Sequence, residues 1–395
     1  MVKLHRHLIA AVIAGLKEIF HEGKPADVVV AHALHSHPKW GSRDRRQFAE
    51  QVYEIVRHYR YACYLAGSEE LDHVWAAWWM AREGVALPEE FTVGLEFYEI
   101  MDRANAEAPV GIRESIPEWM DVMCQAAYGA EWEGLAKKLN EPAEVYLRVN
   151  RLRASVAEVA NRLKGEGVET LPVEGAPDAL QLAVRKPLQN SPTWRAGWCE
   201  IQDAGSQLIA PFLDPAPNQI VIDACAGAGG KTLHLAALMR NRGRLISMDV
   251  SEAKLAELEN RNRRNGVLIG ESHSIEPETL KQFEGIADRL LLDVPCSGTG
   301  VLRRKPDTKW RLTAAEVERL IKLQASILQD YSAMVKPGGA LVYATCSILP
   351  QENSEQIQRF LANNGATWEL AAEQLLRPDT HGWDGFYMAK LIRKK

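Results

Sequence analysis

The sequence predicts an α/β protein in which a Rossmann-like, doubly wound domain follows a small α/β domain and an all-helical N-terminal extension. Three observations carry that expectation. At 395 residues the chain is too long for one ordinary core. Apolar residues recur at helical spacing through residues 1–110, and from about residue 200 short apolar strands alternate with helices.

Each element follows in order. Leu8, Val12, Ile13 and Leu16 share one helical face, as do Val52, Ile55, Val56 and Tyr59. The segment opening on His5-Arg6-His7 imitates a secretion leader, but Lys17 and Glu18 interrupt it and the apolar period runs on through Ile19 and Phe20, so an amphipathic first helix is expected. Gly41-Ser42-Arg43-Asp44 reads as a turn, and Trp75, Trp78 and Trp79 read as a core stripe. Residues 109–117, bounded by prolines, read as a linker. Helices are expected over 119–127, 132–139 and 156–163, with strands over 145–149 and 168–171. In the last domain the strands expected are 220–222, 244–248, 289–292 and 340–343, and the helices 231–239, 252–262 and 314–334. The predicted domains are 1–112, 113–199 and 200–395.

Composition narrows the class. With 46% hydrophobic and 25% charged residues the chain is that of a soluble globular protein, and no stretch has the ~18–20 apolar residues of a membrane span. The six cysteines form no CxxC pair and have no histidines at ligand spacing, which argues against a metal site. They are too few for a disulfide framework, and a reducing cytoplasm is expected. The net charge of −5 is unevenly spread: residues 69–121 hold 13 acidic and 3 basic residues, a local −10 that leaves +5 for the rest. Nucleic acid responds to the local charge, so it stays an expected partner.

The motifs lie where strands end, which is where ligands sit in doubly wound sheets. After Asp223 comes Cys225-Ala226-Gly227-Ala228-Gly229-Gly230-Lys231-Thr232. A phosphate-binding P-loop would need Gly at position 225, and a dinucleotide fingerprint would need Gly at 232. An adenosyl ligand without pyrophosphate remains. Asp249 ends the next strand, 20 residues after Gly229, where a carboxylate accepts ribose hydroxyls; together they point to S-adenosyl-L-methionine. Two further strands run into Asp293-Val294-Pro295-Cys296-Ser297-Gly298-Thr299-Gly300 and into Thr345-Cys346-Ser347. A strand-end thiol is poised for nucleophilic chemistry when cations or helix N-termini lower its pKa.

These motifs together resemble those of the bacterial Sun-type rRNA cytosine-5 methyltransferases, within the wider RNA 5-methylcytosine family, over residues 116–395. Leu147-Arg148-Val149-Asn150-Arg151-Leu152 resembles the start of that family's small RNA-binding domain, and the segment from Gly197 to Gln207 its entry to the catalytic domain. The resemblance implies S-adenosylmethionine-dependent methylation of cytosine C5 in RNA, most naturally 16S rRNA. It implies Cys346 as nucleophile on C6, Cys296 in C5 proton removal and enzyme release, Asp293 on the cytosine's pairing edge and Lys231 as the nearby positive charge. It also implies cofactor contacts from Cys225, Ala226, Gly227, Ala228, Gly229, Gly230, Lys231, Asp249 and Asp293. The sequence departs from the family at Ala228, where Pro is usual, and at the third strand end, where Glu276 stands in for Asp. The first 110 residues resemble the family's NusB-like extension in length and helical character.

The run Arg303-Arg304-Lys305-Pro306-Asp307-Thr308-Lys309-Trp310-Arg311 is expected to contact RNA, with Arg151 and Arg153 as further candidates on the small domain and Trp310 either stacking on a base or bracing the loop. Competing readings are a tRNA cytosine-5 enzyme, a non-catalytic RNA-binding protein on the same scaffold, and a DNA cytosine-5 enzyme, which Thr345-Cys346 argues against. No membrane and no metal partner are expected, and a monomer is the default.

Overall fold

Side chains at helical spacing bury together only if helices pack, and the first third of the chain does this. The computed structural model describes residues 5–395. They form two compact units: the described residues up to Pro142 together with Leu302–Ala314, and Ala143–Val301 together with Ala315–Lys395.

The first unit is helical. Arg6–Phe20, Ala26–Ser36, Ser42–Arg57, Tyr59–Ala66 and Leu71–Glu83 bury Leu16, Phe48, Val52, Ile55 and Trp75 in one core. The tryptophan stripe is core, as expected: Trp75, Trp78 and Trp79 are all buried. The Gly41 turn is shorter than expected, because the helix already starts at Ser42. Residues 109–117 are not a linker. They hold the short helix Val110–Arg113, and the fully buried Ile116 and Ser115 are tied down. Arg60 donates to the Ile116 carbonyl at 2.5 Å, and the Tyr61 N–H donates to Ser115 Oγ at 2.9 Å. The helices Glu118–Tyr128 and Trp132–Leu139 group with the first unit.

The second unit holds two sheets. The smaller has strands β1 (Tyr146–Val149), β2 (Thr170–Pro172), β3 (Ala179–Leu182) and β4 (Cys199–Ile201), in antiparallel order β2-β3-β1-β4. Because β4 pairs with β1 through Leu147–Ile201, a boundary at 199/200 would cut a strand. The helix Val156–Gly165 packs Val159 and Leu163 onto this sheet, and Ser155 and Glu158 close its N-terminus as a capping box.

The larger sheet has β5 (Ile220–Asp223), β6 (Arg244–Asp249), β7 (Gly270–Ser274), β8 (Ala287–Asp293), β9 (Val335–Thr345), β10 (Trp368–Leu376) and β11 (Phe386–Arg393), in the order β10-β11-β9-β8-β5-β6-β7. The five strands β5 to β9 are parallel, and their apolar residues (Val221, Ile222, Leu245, Ile246, Leu290, Leu291, Leu341, Val342) are buried, as a sheet covered on both faces requires. The sheet is not parallel throughout: β11 lies antiparallel beside β9, and β10 beside β11. The third strand is also displaced from its apolar neighbourhood. It is the polar stretch Gly270–Ser274, an edge strand that buries little, and residues 267–269 precede it.

Candidate active site

Three parallel strands end side by side and deliver the chemistry. β5 ends in Asp223, β8 in Asp293 and β9 in Thr345, with β8 central to the three. The glycine loop after β5 turns into the helix Gly230–Leu238. At Gly229 the backbone is left-handed (φ 87°), and a Cβ there would meet Leu258 Cγ at 2.8 Å, so only glycine lets this loop lie against the neighbouring helix.

The loop walls a cavity of about 450 Å³. Cys225, Ala226, Gly227, Ala228, Gly230, Lys231, Asp249 and Asp293 line it, all of them expected cofactor contacts. Gly229 does not line it; its place is against Leu258. Glu276 is not brought there either. It is exposed and caps the short helix Pro277–Gln282 with Thr279, a correction that follows from the third strand ending at Ser274 rather than beside an acid.

Asp249 is preset. Its Oδ2 accepts from the Gly227 N–H at 2.9 Å and its Oδ1 from the Ser251 N–H at 2.9 Å, so the carboxylate bridges the glycine loop and the start of the next helix. Asp223 is buried beneath the cavity. Thr232 donates to its Oδ2 at 2.7 Å, while Oδ1 has no protein partner. Burial pushes this carboxyl up to about 7. Lys231 donates to Asp293 Oδ2 at 2.5 Å. Burial alone would lower the ammonium, but the Asp293 charge outweighs it and raises the pKa. Burial raises the Cys225 thiol well above its usual range, which suits a loop residue rather than a nucleophile.

The two strand-end thiols meet. Cys296 Sγ and Cys346 Sγ are 3.2 Å apart, and the Cys346 N–H points at Cys296 Sγ at 3.3 Å. Hydrogen bonding with Cys346, followed by burial, raises Cys296 well above the ordinary thiol range. The loops are locked together behind the sulfurs: the Gly300 N–H donates to the Cys346 carbonyl at 2.9 Å, and a Cβ on Gly300 would collide with the Gly385 carbonyl. All six cysteines are free, and among the described residues no cluster of His, Cys, Asp and Glu is arranged to hold a metal.

The small sheet supports the loop from below. Arg148 on β1, buried, donates to the Gly230 carbonyl and to Gln202, and burial lowers its guanidinium to about 10. Arg261 donates to the Ala228 carbonyl at 2.8 Å and to Glu200 at 3.1 Å. Asn150 donates to the Gly197 and Asn265 carbonyls at 2.8 and 2.9 Å. Sequence reasoning gave no role to Glu200 and Arg261, because isolated polar residues on separate elements carry no spacing signal. Asp223 stood in the quoted motif without a role. Glu352-Asn353, six residues past Cys346, was the signal left unused.

The basic run divides. Arg303 and Lys309 are 2% and 1% exposed, inside the helical unit. Lys309 Nζ donates to the Arg57 carbonyl at 2.8 Å and to Asn140 Oδ1 at 3.0 Å, and Arg303 donates to the Pro142 carbonyl at 3.2 Å. That corrects the expectation that these two present charge to RNA: both side chains are in the interior. Trp310 braces the loop, donating to the Val56 carbonyl at 2.7 Å and packing edge-on to Tyr59. Lys305 and Arg311 are exposed and Arg304 is half-buried, with Arg311 paired to Asp307 at 3.0 Å. Arg151 pairs with Asp178 at 3.4 Å, and Arg153 donates to the Arg264 carbonyl at 2.9 Å.

A parallel sheet that ends in a glycine loop, a preset strand-end acid and paired thiols defines a Rossmann-like methyltransferase domain, here joined to a ferredoxin-like one. The chain belongs to the 16S rRNA methyltransferase RsmB/F family, whose model matches residues 210–392, while the RsmF/B-like ferredoxin-like domain matches residues 116–189. It is 36% identical to the ribosomal RNA small subunit methyltransferase B of Vibrio vulnificus, over 70% of this chain and 66% of that protein. It is 35% identical to a probable ribosomal RNA small subunit methyltransferase B of Synechocystis, over 71% and 68%. The chain thus spans about two thirds of the length of these curated relatives. Among solved structures it is similar to a methyltransferase homolog protein from Pyrococcus horikoshii, with 29% identity and a TM-score of 0.65 over 72% of this chain and 97% of that one.

Proposed function

We propose that this chain methylates C5 of cytosine in RNA, using S-adenosylmethionine, and that its substrate is 16S rRNA. The observation that carries the reading is the pair of sulfurs 3.2 Å apart at the ends of adjacent parallel strands, on the same sheet edge as the glycine-loop cavity. Family membership and the relatives' names support the RNA assignment.

The residues fit the cofactor. The cavity is lined by the glycine loop, Asp249 is anchored for ribose hydroxyls, and Asp223 keeps one buried oxygen open. S-adenosylmethionine bound there supplies an electrophilic methyl group. Cys346 adds its sulfur to C6 of the cytosine, which makes C5 electron-rich. Asp293, held by Lys231, accepts a hydrogen bond from the amino group on the pairing edge of the base and so orients the ring for attack. Cys296 keeps its proton at rest, because hydrogen bonding with Cys346 and burial raise its pKa, and its sulfur is 3.2 Å from that of Cys346. After transfer Cys296 passes its proton to the departing Cys346 sulfur and takes up the C5 proton, so that the C5–H electrons re-form the C5–C6 double bond as the C6–S bond breaks. To reach C6 the base leaves its stack, at a cost of a few kcal/mol. Arg304, Lys305 and Arg311 are the cations proposed to meet RNA phosphates, with Arg151 and Arg153 in support. The free thiols fit a reducing cytoplasm, and no helix among the described residues is long and apolar enough to cross a membrane.

The test is a thiol series read on denaturing gels. Cys346→Ala is expected to abolish methylation, and Cys296→Ala to accumulate a covalent RNA adduct. Full activity in Cys346→Ala would remove the nucleophile assignment. Bisulfite maps of rRNA and tRNA from a deletion strain test the substrate: an unchanged rRNA map with a missing tRNA site would move it to tRNA.

A further inference from the structure

We infer that Glu352 is a positioning residue that clasps the two thiol-bearing loops and sets the distance between Cys296 and Cys346. Its side chain is fully buried in the second unit, 0% exposed. A carboxylate so placed is costly unless donors surround it, and the donors it has come from the residues that follow each thiol. Glu352 Oε1 accepts from the Ser297 N–H at 2.9 Å, and Oε2 accepts from the hydroxyls of both Ser297 and Ser347. Ser297 follows Cys296 and Ser347 follows Cys346, so one carboxylate joins the two loops one residue behind their sulfurs. Gln324 closes the clasp from a third element: its Nε2 donates to Glu352 Oε1 at 2.8 Å and to the Pro295 carbonyl at 2.9 Å.

The arrangement suits a carboxylate. Both oxygens are used as acceptors, two for each, and they orient hydroxyls that also meet across the two loops, Ser297 with Ser347 at 3.3 Å and Thr299 with Ser347 at 3.0 Å. Glu352 touches neither sulfur in these bonds; it acts through the two serines. Its catalytic consequence rests on the proposed reading of the thiols as the reacting pair, while the clasp itself does not.

The experiment compares the full-length wild type with Glu352→Ala, Glu352→Gln and Ser347→Ala in two readouts. The first is steady-state methyl transfer, with cofactor binding followed by calorimetry. The second is independent of activity: the rate at which diamide joins Cys296 to Cys346, located by peptide mapping. In that reaction two thiols lose two protons and two electrons to form the S–S bond, and the diazene becomes a hydrazine. Glu352→Ala is expected to lower kcat about 100-fold with KM for RNA and cofactor affinity within about twofold, and to slow cross-linking about 10-fold, because sub-ångström drift of a reacting pair carries penalties of this order. Glu352→Gln keeps one acceptor oxygen and offers a donor to hydroxyls that can also accept, so it is expected to restore most of both. If Glu352→Ala does not fold, Ser347→Ala, which unties only the Cys346 loop, carries the test and is expected to slow cross-linking severalfold. Cross-linking at the wild-type rate in the alanine variants would overturn the clasp. Slowed cross-linking in a wild-type background that methylates no RNA would retain the clasp and discard the proposed activity.

Discussion

Two lysines, one in each unit, one buried and one largely so, are pushed in opposite directions by the same physics. Lys309, inside the helical unit, ends on the Arg57 carbonyl and the Asn140 amide oxygen, and burial drives its pKa well below the ordinary value. Lys231, at the end of β5's loop, faces burial too, but it donates to a charged carboxylate at 2.5 Å and its pKa rises. The partner's charge decides the sign. The difference separates two uses of a buried cation. One staples an inserted loop to helices through neutral acceptors, and the other stands in a charged pair on the wall of a cavity.

That contrast breaks first at Lys231. Lys231→Ala is expected to cost 10²–10³-fold in kcat, about 3–4 kcal/mol of barrier, while the unfolding free energy moves by less than about 1 kcal/mol. Denaturation curves beside single-turnover rates would check it, and a large stability loss with intact turnover would put both lysines in the structural class. Lys309→Ala is expected to do the reverse. It leaves a buried carbonyl and an amide oxygen without their donor and should remove about 2–4 kcal/mol from the helical unit. Hydrogen exchange over Ser42–Arg57 reads that loss directly, and unchanged protection there would refute the staple.

Asp223 sharpens the comparison from the acidic side. Burial raises its pKa from 3.8 to about 7, so between those values the folded state binds a proton that the unfolded chain has released. Stability from this group is therefore present below pH 3.8 and lost as pH rises through 7. Asp223→Asn is expected to flatten that fall and to gain about 1–3 kcal/mol at pH 8 relative to wild type. Urea melts from pH 5 to 8 without cofactor test it, and parallel pH curves for both proteins would count against a buried neutral acid. The smallest effect is expected at the exposed end of the basic run. Arg304→Ala with Lys305→Ala should weaken RNA binding by about 1 kcal/mol and reduce the salt slope by about 1–2. Lys309→Met, in the same titration, should leave the slope unchanged because its charge is interior.

The expectations that held share a cause. The parallel strands β5, β6, β8 and β9 are short β-branched and leucine-rich runs buried on both faces, and burial on both faces leaves a continuous apolar signature. The glycine loop, Asp249 and Asp293 were legible because chemistry at a strand end needs particular residue types at short spacing, whereas Glu200 and Arg261 on the same cavity wall are isolated polar residues. What was illegible is mostly exposed or shared. The edge strand Gly270–Ser274 is polar, and six residues of Trp368–Leu376 face solvent, so neither carries an apolar period. The prolines around residues 109–117 suggested a linker because proline marks turns, yet Ile116 supplies the burial that holds the segment in place. Glu276 was aligned to a strand whose end lay elsewhere.

By itself the sequence determined the order of helical and strand–helix regions, the glycine loop, and the two strand-end cysteines, because each depends on neighbours within a few residues. Only the tertiary structure decided which charges of the basic run are interior, that Asp223 has an oxygen open beneath a cavity, and that one glutamate ties two loops 50 residues apart behind sulfurs in contact. Burial and hydrogen-bond partnership arise from chain segments far apart in sequence, and a residue's type does not reveal which of them it will meet.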